Sequence, residues 1–294
     1  MYKYMDELKY NFDPNWLNNP TTKQYTIDRG MNIYYPDGVN RNTDFERYLL
    51  FIAVKMVQMY PVEQLNTRRP VVITLYMGQT PKTVEDDLRV NKFNANSGFT
   101  RHSGSVTEVV VYREEDMAKV LIHELIHAYE PPVYGDYTYR GVDSSINEAY
   151  VEAKALYLHV DLWCRFNKKV SEFHNVLSNE IQYRDILMQN VLQMSYRDTW
   201  MQNGNIVYFR PRTNILSYYV YSTVLMKEQF ETSKSISSDA DDISEILTRR
   251  LPKMETSIRA STLSWDGQNT SLGTGSDMGY GNGSGYGSGN TNFY

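Results

Sequence analysis

Pro131-Pro132 closes the segment that most restricts how this chain can fold. Proline cannot continue a helix, because it lacks an amide donor and its ring collides with the turn before it. The segment it ends reads as a helix from about Glu114 to Tyr129, with Glu114, Glu115 and Asp116 in a first turn where negative charge suits the helix dipole. Within it lies His123-Glu124-Leu125-Ile126-His127. Residues four apart on a helix face the same way, so both imidazoles can reach one point in space. The β-branched run from Val106 to Tyr112 precedes this helix and reads as a strand. After the prolines, a loop containing Tyr and Gly leads to Asp143-Ser144-Ser145, which can cap a long helix from about Ile146 to Phe166.

Two imidazoles and a carboxylate suit zinc and leave a fourth position for water. His123 and His127 supply the imidazoles. The second helix carries Asn147-Glu148-Ala149-Tyr150-Val151-Glu152-Ala153, whose two glutamates again share a face. Ile146, Ala149, Val151 and Ala153 flank them, so part of this helix belongs to the core and not to a solvated surface. Glu148 can complete the metal sphere. Glu152 can accept a hydrogen bond from the outer nitrogen of a ligating histidine and fix its orientation and basicity. Glu124 is not needed as a ligand. It is free to take a proton from zinc-held water, whose pKa falls towards roughly 7, and to pass it to a leaving amine.

His-Glu-x-x-His at 123–127 followed by Asn-Glu-x-x-x-Glu at 147–152 resembles the gluzincins, the thermolysin-like zinc metallopeptidases. The likeness covers Val106 to Ala153 and little of the rest. It implies a zincin-like fold, Zn2+ held by His123, His127 and Glu148, Glu124 as general base and acid, and Glu152 hydrogen-bonded behind a ligand. It also implies a peptide or protein substrate paired to an edge strand ahead of the motif helix, a place that residues 106–112 match. The family uses a Tyr or His to stabilise the oxyanion of the tetrahedral intermediate. Tyr139 stands ahead of Glu148 at an offset similar to that of a functional tyrosine in thermolysin-like enzymes. Tyr218 and Tyr219 lie in the later helical region, where gluzincins often contribute such a donor. Thermolysin-like members have a histidine there, and this chain has none after His174. The metzincin pattern is not met, because no third histidine follows His127 at that group's short spacing.

Elsewhere the pattern is coarser. Residues 1–43 are rich in Asn, Tyr, Asp and Pro and read as an N-terminal extension of loops and short strands. Asp44 to Tyr60 reads as a helix capped by Asp44, Pro70 to Met77 as a buried strand, Thr83 to Val90 as a short helix, and Asn94 to Ser105 as a Gly/Ser loop holding His102. From Lys168 to about Arg250 the chain reads as mostly helical, with helical spacing over Val170–Tyr196 and Asn214–Phe230. Residues 261–294 hold 9 of the 17 glycines and almost no aliphatics, and read as a disordered tail.

The expected fold is therefore α+β. A small N-terminal mixed sheet with an edge strand packs on the motif helix, and a helical C-terminal part closes a cleft between 44–130 and 144–260. With 294 residues the chain can bury a sizeable core, and residues 44–260 read as the metallopeptidase domain. Its net charge of −5, with scattered Lys and Arg, disfavours nucleic acid and anionic membrane surfaces as partners. The lone Cys164 excludes an intrachain disulfide and a cysteine-rich zinc site. With no visible secretory signal and no apolar run near the roughly 20 residues of a membrane span, the expectation is a soluble intracellular protein. Besides the peptidase, a zincin-fold structural or interaction protein with little turnover stays open, as does a purely structural zinc.

Overall fold

The computed structural model describes residues 21–25, 30–35, 42–60, 69–78, 97–114, 116–139, 142–197, 201–202, 205–206 and 214–266. The chain is α+β. Its main sheet has five strands: β1 (Thr21–Tyr25), β2 (Met31–Tyr35), β3 (Val71–Tyr76), β4 (Gly98–Ser103) and β5 (Val106–Val111), in the order β1-β2-β3-β5-β4. The three central strands run parallel, with Ile33 opposite Leu75 and Ile73 opposite Val109. The two outer strands are antiparallel to their neighbours.

Alternation decides which face is covered. Met31, Ile33 and Tyr35, then Val71, Ile73 and Leu75, then Val109 and Val111 point to one side. There they join Leu49, Ile52 and Met56 of helix α1 (Thr43–Met59) and Leu121, Ile122 and Leu125 of helix α2 (Met117–Tyr129) in one core. The other face carries Tyr34 and Tyr76, stacked 4.9 Å apart, with Phe99, Val110 and Tyr112.

After α2 comes a hairpin of β6 (Asp136–Tyr139) and β7 (Val142–Ser145), in the stretch expected to be loop. Helix α3 (Ile146–Phe166) starts as the sequence indicates, the Ser145 hydroxyl accepting from the Glu148 amide at 3.3 Å. The helical remainder is a 3-10 turn (Val170–Glu172), α4 (Phe173–Arg197), a π-helical segment (Leu216–Tyr221), α5 (Ser222–Thr232) and α6 (Ala240–Asp266). Two-residue strands Met201–Gln202 and Asn205–Ile206 pair with each other.

Several expectations are corrected. Strand 106–111 is not the edge strand: it lies between β3 and β4, and the edge is β4, in the stretch read as a Gly/Ser loop. Of the Gly and Ser behind that reading, Gly98 and Ser103 are the ends of β4, and Gly104-Ser105 is the two-residue turn after it, where Gly104 takes φ +55° and lets the chain reverse tightly. Thr21–Tyr25 and Met31–Tyr35, in the stretch read as an N-terminal extension of loops and short strands, are two strands of the main sheet. The cap of α1 is Asn42, whose side chain accepts from the Phe45 amide at 3.0 Å, and not Asp44. Helix α2 starts at Met117, so Glu114 and Asp116 precede its first turn. Helix α6 runs to Asp266, into the stretch read as tail. The short helix expected at Thr83–Val90, and the tail beyond Asp266, lie outside the described residues.

Strand β4 lies close against α2 because residue 98 has no side chain. A Cβ there would stand 2.8 Å from Val120 Cγ1, 2.9 Å from the Val110 carbonyl oxygen and 3.2 Å from Glu124 Cγ. The variant Gly98→Ala should therefore lose about 1–3 kcal/mol of stability through overpacking, read as a lower midpoint in urea unfolding.

Candidate metal centre

Helix α2 is buried on most of its circumference, so the polar side chains at 123, 124 and 127 are carried into the interior. Helix α3 packs alongside and brings Glu148 and Glu152 to them. His123 Nε2 and His127 Nε2 are 3.1 Å apart. The Glu148 carboxylate bridges them, with Oε2 3.4 Å from His123 Nε2 and Oε1 3.5 Å from His127 Nε2. An ion with bonds of ~2.05 Å to tetrahedral ligands would hold them ~3.3 Å apart, so the triangle has the size zinc requires. Taking one ligand atom from each residue, all three lie within 4.8 Å of one another, and the group can hold a metal ion.

The outer nitrogen of His123 is fixed. Its Nδ1 lies 3.0 Å from Glu152 Oε2, a carboxylate that holds the Nδ1 proton and turns Nε2 into the triangle, where a bound metal would take the place of the Nε2 proton. The other oxygen of Glu152 takes Lys119 Nζ at 2.9 Å and Arg184 of α4 at 2.5 Å. Behind His127, the Asn147 side chain is 3.5 Å from Nδ1, while its oxygen accepts from the Val133 amide at 2.9 Å.

The electrostatics favour positive charge inside the triangle. Burial lowers the His123 pKa, but hydrogen bonds to Glu148 and Glu152 outweigh it and lift the value to about 10. Burial raises Glu148, and the hydrogen bonds from His123 and His127 overcome this and hold it below the usual carboxylate range. For Glu152, burial is likewise overcome, by Lys119, His123 and Arg184, and its carboxyl stays ionised. Glu124 is the exception: burial pushes its pKa up, against the pull of His123, His127 and Thr100. A raised carboxylate pKa suits a group that must accept a proton near neutral pH.

Of the three candidate tyrosines, Tyr218 joins this group. Its ring centroid is 6.1 Å from that of His123, and its buried phenol stands in the field of Glu148, Glu124 and Glu152. Burial, then the charges of Glu148, Glu124 and Glu152, push its phenol well above the ordinary value, so it remains a donor. Tyr218 sits on the π-helical segment, a distortion frequent at functional sites. Ser217 anchors that segment, hydrogen-bonded at 2.8 Å both to the Ser144 hydroxyl and to the Ser145 carbonyl. Tyr219 instead lies under the Arg184 guanidinium, 5.6 Å from its ring centroid. Tyr139 is at the turn end of the β6–β7 hairpin, opposite Val142, and packs on the main core.

Sequence reasoning missed Thr100, Lys119 and Arg184. Lys119 had a signal, since it lies four residues before His123 on the same helix. Thr100 sat in a stretch read as loop. Arg184 had none, because its partner is set by how α4 packs. His102 is on β4, its Nδ1 2.9 Å from the Thr107 hydroxyl, and Cys164 is buried, as expected. Among the described residues, no helix is long and apolar enough to cross a membrane.

No family model matches the chain, and no curated protein matches it.

Replacing Glu152 by Ala leaves the side chains of Lys119 and Arg184 without the carboxylate they share. Because Arg184 and Glu152 are both buried, the variant should be less stable by about 3–5 kcal/mol in urea unfolding. Substitutions of exposed ion pairs, such as that of Arg47 with Asp44, should change stability by less than about 1 kcal/mol.

Proposed function

We propose that this protein is a zinc-dependent peptidase of gluzincin type, with a zincin-like fold. The observation that carries the reading is the convergence of His123, His127 and Glu148 on one point beside the buried carboxylate of Glu124. Three protein ligands leave one position open, whereas structural zinc sites are usually closed by four. The complete ligand set, with Glu152 fixing His123 and Glu124 in place, speaks for turnover over a purely structural role. The five-stranded sheet with an antiparallel edge strand beside the motif helix supports the zincin-like reading.

His123, His127 and Glu148 would hold the ion. Zinc, when bound, supplies a Lewis acid that polarises a carbonyl and makes a coordinated water acidic near neutral pH. Glu124, raised by burial, accepts the proton of the attacking water and delivers it to the leaving amine. Glu152 keeps His123 in one tautomer and one orientation. Tyr218 donates its hydroxyl hydrogen bond towards the developing oxyanion. Tyr139 and Tyr219 remain candidates from the resemblance, and the geometry favours Tyr218 over both. An extended peptide would lie along the edge of β4 that faces away from β5, held by main-chain hydrogen bonds.

Three variants test this against a mixed peptide library, with metal content measured by mass spectrometry. The protein should carry about one zinc per chain, and Glu148→Ala should lose it. Glu124→Gln should keep the zinc and lose at least about a hundredfold in kcat. Tyr218→Phe should keep the zinc and lose about a hundredfold in kcat with little change in KM. A Glu124→Gln variant that cleaves as fast as the parent would falsify the mechanism.

A further inference from the structure

We infer that Thr100, on the outermost strand of the sheet, is a positioning residue for Glu124 and links docking of an extended peptide to the aim of that base. The inference rests on the peptidase reading above. The Thr100 hydroxyl lies 2.8 Å from Glu124 Oε2 and 2.8 Å from the Glu124 main-chain oxygen. One threonine therefore grips both the carboxylate and the helix backbone that carries it. Its β-branched side chain is stiff about χ1, so a strand-borne Thr holds this contact with little freedom to lose. The missing side chain of Gly98 brings the strand near enough for the hydroxyl to reach.

The main chain of the same residue faces the other way. The Ser97 carbonyl accepts from the Tyr112 amide at 2.8 Å, and the register pairs Gly98 with Val111 and Thr100 with Val109. In an antiparallel pair only alternate residues bond to the neighbouring strand. Phe99, Arg101 and Ser103 therefore turn their amides and carbonyls to β5, and Gly98, Thr100 and His102 turn theirs to the outside. Among the described residues, β4 pairs with β5 alone. A peptide added to this edge takes its hydrogen bonds from Gly98, Thr100 and His102, and Thr100 is the one of these whose side chain bonds the Glu124 carboxylate. The general base is thus registered to the same residue that registers the substrate.

A hydroxyl that merely ties strand to helix would serve stability and nothing else, so the test separates the two roles. Thr100→Val removes the hydroxyl at nearly constant shape, Thr100→Ser keeps it, and Thr100→Ala replaces Val should that variant fail to fold. Each is compared with the parent and with Glu124→Gln for zinc content, for kcat and KM on one fluorogenic peptide selected from the library by the parent, and for the carboxyl resonances of protein labelled with 13C at the glutamate side-chain carboxyl. The Glu124 resonance is the one lost in Glu124→Gln. Thr100→Val should keep its zinc, lose about tenfold to a hundredfold in kcat with KM within about twofold, and shift the Glu124 resonance. Thr100→Ser should return kcat to within about threefold of the parent and restore the resonance. Parental kcat and an unmoved resonance in Thr100→Val would overturn this inference and leave the peptidase reading standing. A loss that Ser does not rescue, shared between kcat and KM, would also overturn it. A parent that binds zinc but cleaves no peptide would overturn both.

Discussion

A carboxylate removed from water must find compensating charge or it will not stay ionised, and Glu152 is 3 % exposed. Three cationic or donor groups converge on it: His123 and Lys119 from the motif helix and Arg184 from α4. This interaction ties the helix laid on the sheet to the helical C-terminal part. It also fixes the outer nitrogen of His123, and so turns Nε2 towards His127 and Glu148. With two cations beside it, Glu152 can be ionised in the core and still serve as acceptor for an imidazole. The triangle of His123, His127 and Glu148 is in this sense a consequence of one buried charge being satisfied.

The other wall of the centre depends on close approach. Helix α2 presents Val120 and Glu124 to strand β4, and the helix and strand meet where residue 98 has only a hydrogen. Close packing there has two results. It buries Glu124, which raises its pKa and suits it to accept a proton. It also brings Thr100 within hydrogen-bonding distance of that carboxylate. Burial and hydrogen bonding pull the Glu124 pKa in opposite directions, and burial wins.

The third contribution comes from within the helical C-terminal part. The π-helical segment is held by Ser217 to the cap of α3, the helix that carries Glu148. That link sets Tyr218 beside the ligands. Its neighbour Tyr219 covers the guanidinium that neutralises Glu152. Adjacent residues thus lie on two sides of the His-Glu cluster, Tyr218 beside the His123 ring and Tyr219 beneath Arg184.

Much of the centre was legible before any fold was known. Spacing alone made His123 and His127 neighbours, made Glu148 and Glu152 neighbours, and singled out Glu124, because helical periodicity is local and survives in any tertiary setting. Ser145 announced the start of α3, since a hydroxyl before an apolar helix satisfies the first free amides. Strand order was not legible. Residues 106–111 are apolar enough to be interior, and they are interior; nothing local said that 98–103 would pair outside them, because pairing is decided between segments. A Gly-Ser turn and a strand with a glycine at its start read locally as one loop. That Tyr218, and not Tyr139 or Tyr219, lies beside His123 was likewise beyond the sequence, since only the packing of the π-helical segment sets it there. The sequence by itself determined the grouping of His123, Glu124 and His127 on one helix and of Glu148 and Glu152 on another, through spacing within two helices. Tertiary structure decided what surrounds them: the edge strand, Thr100, Arg184 and Tyr218, each brought to the site by contacts between segments distant along the chain.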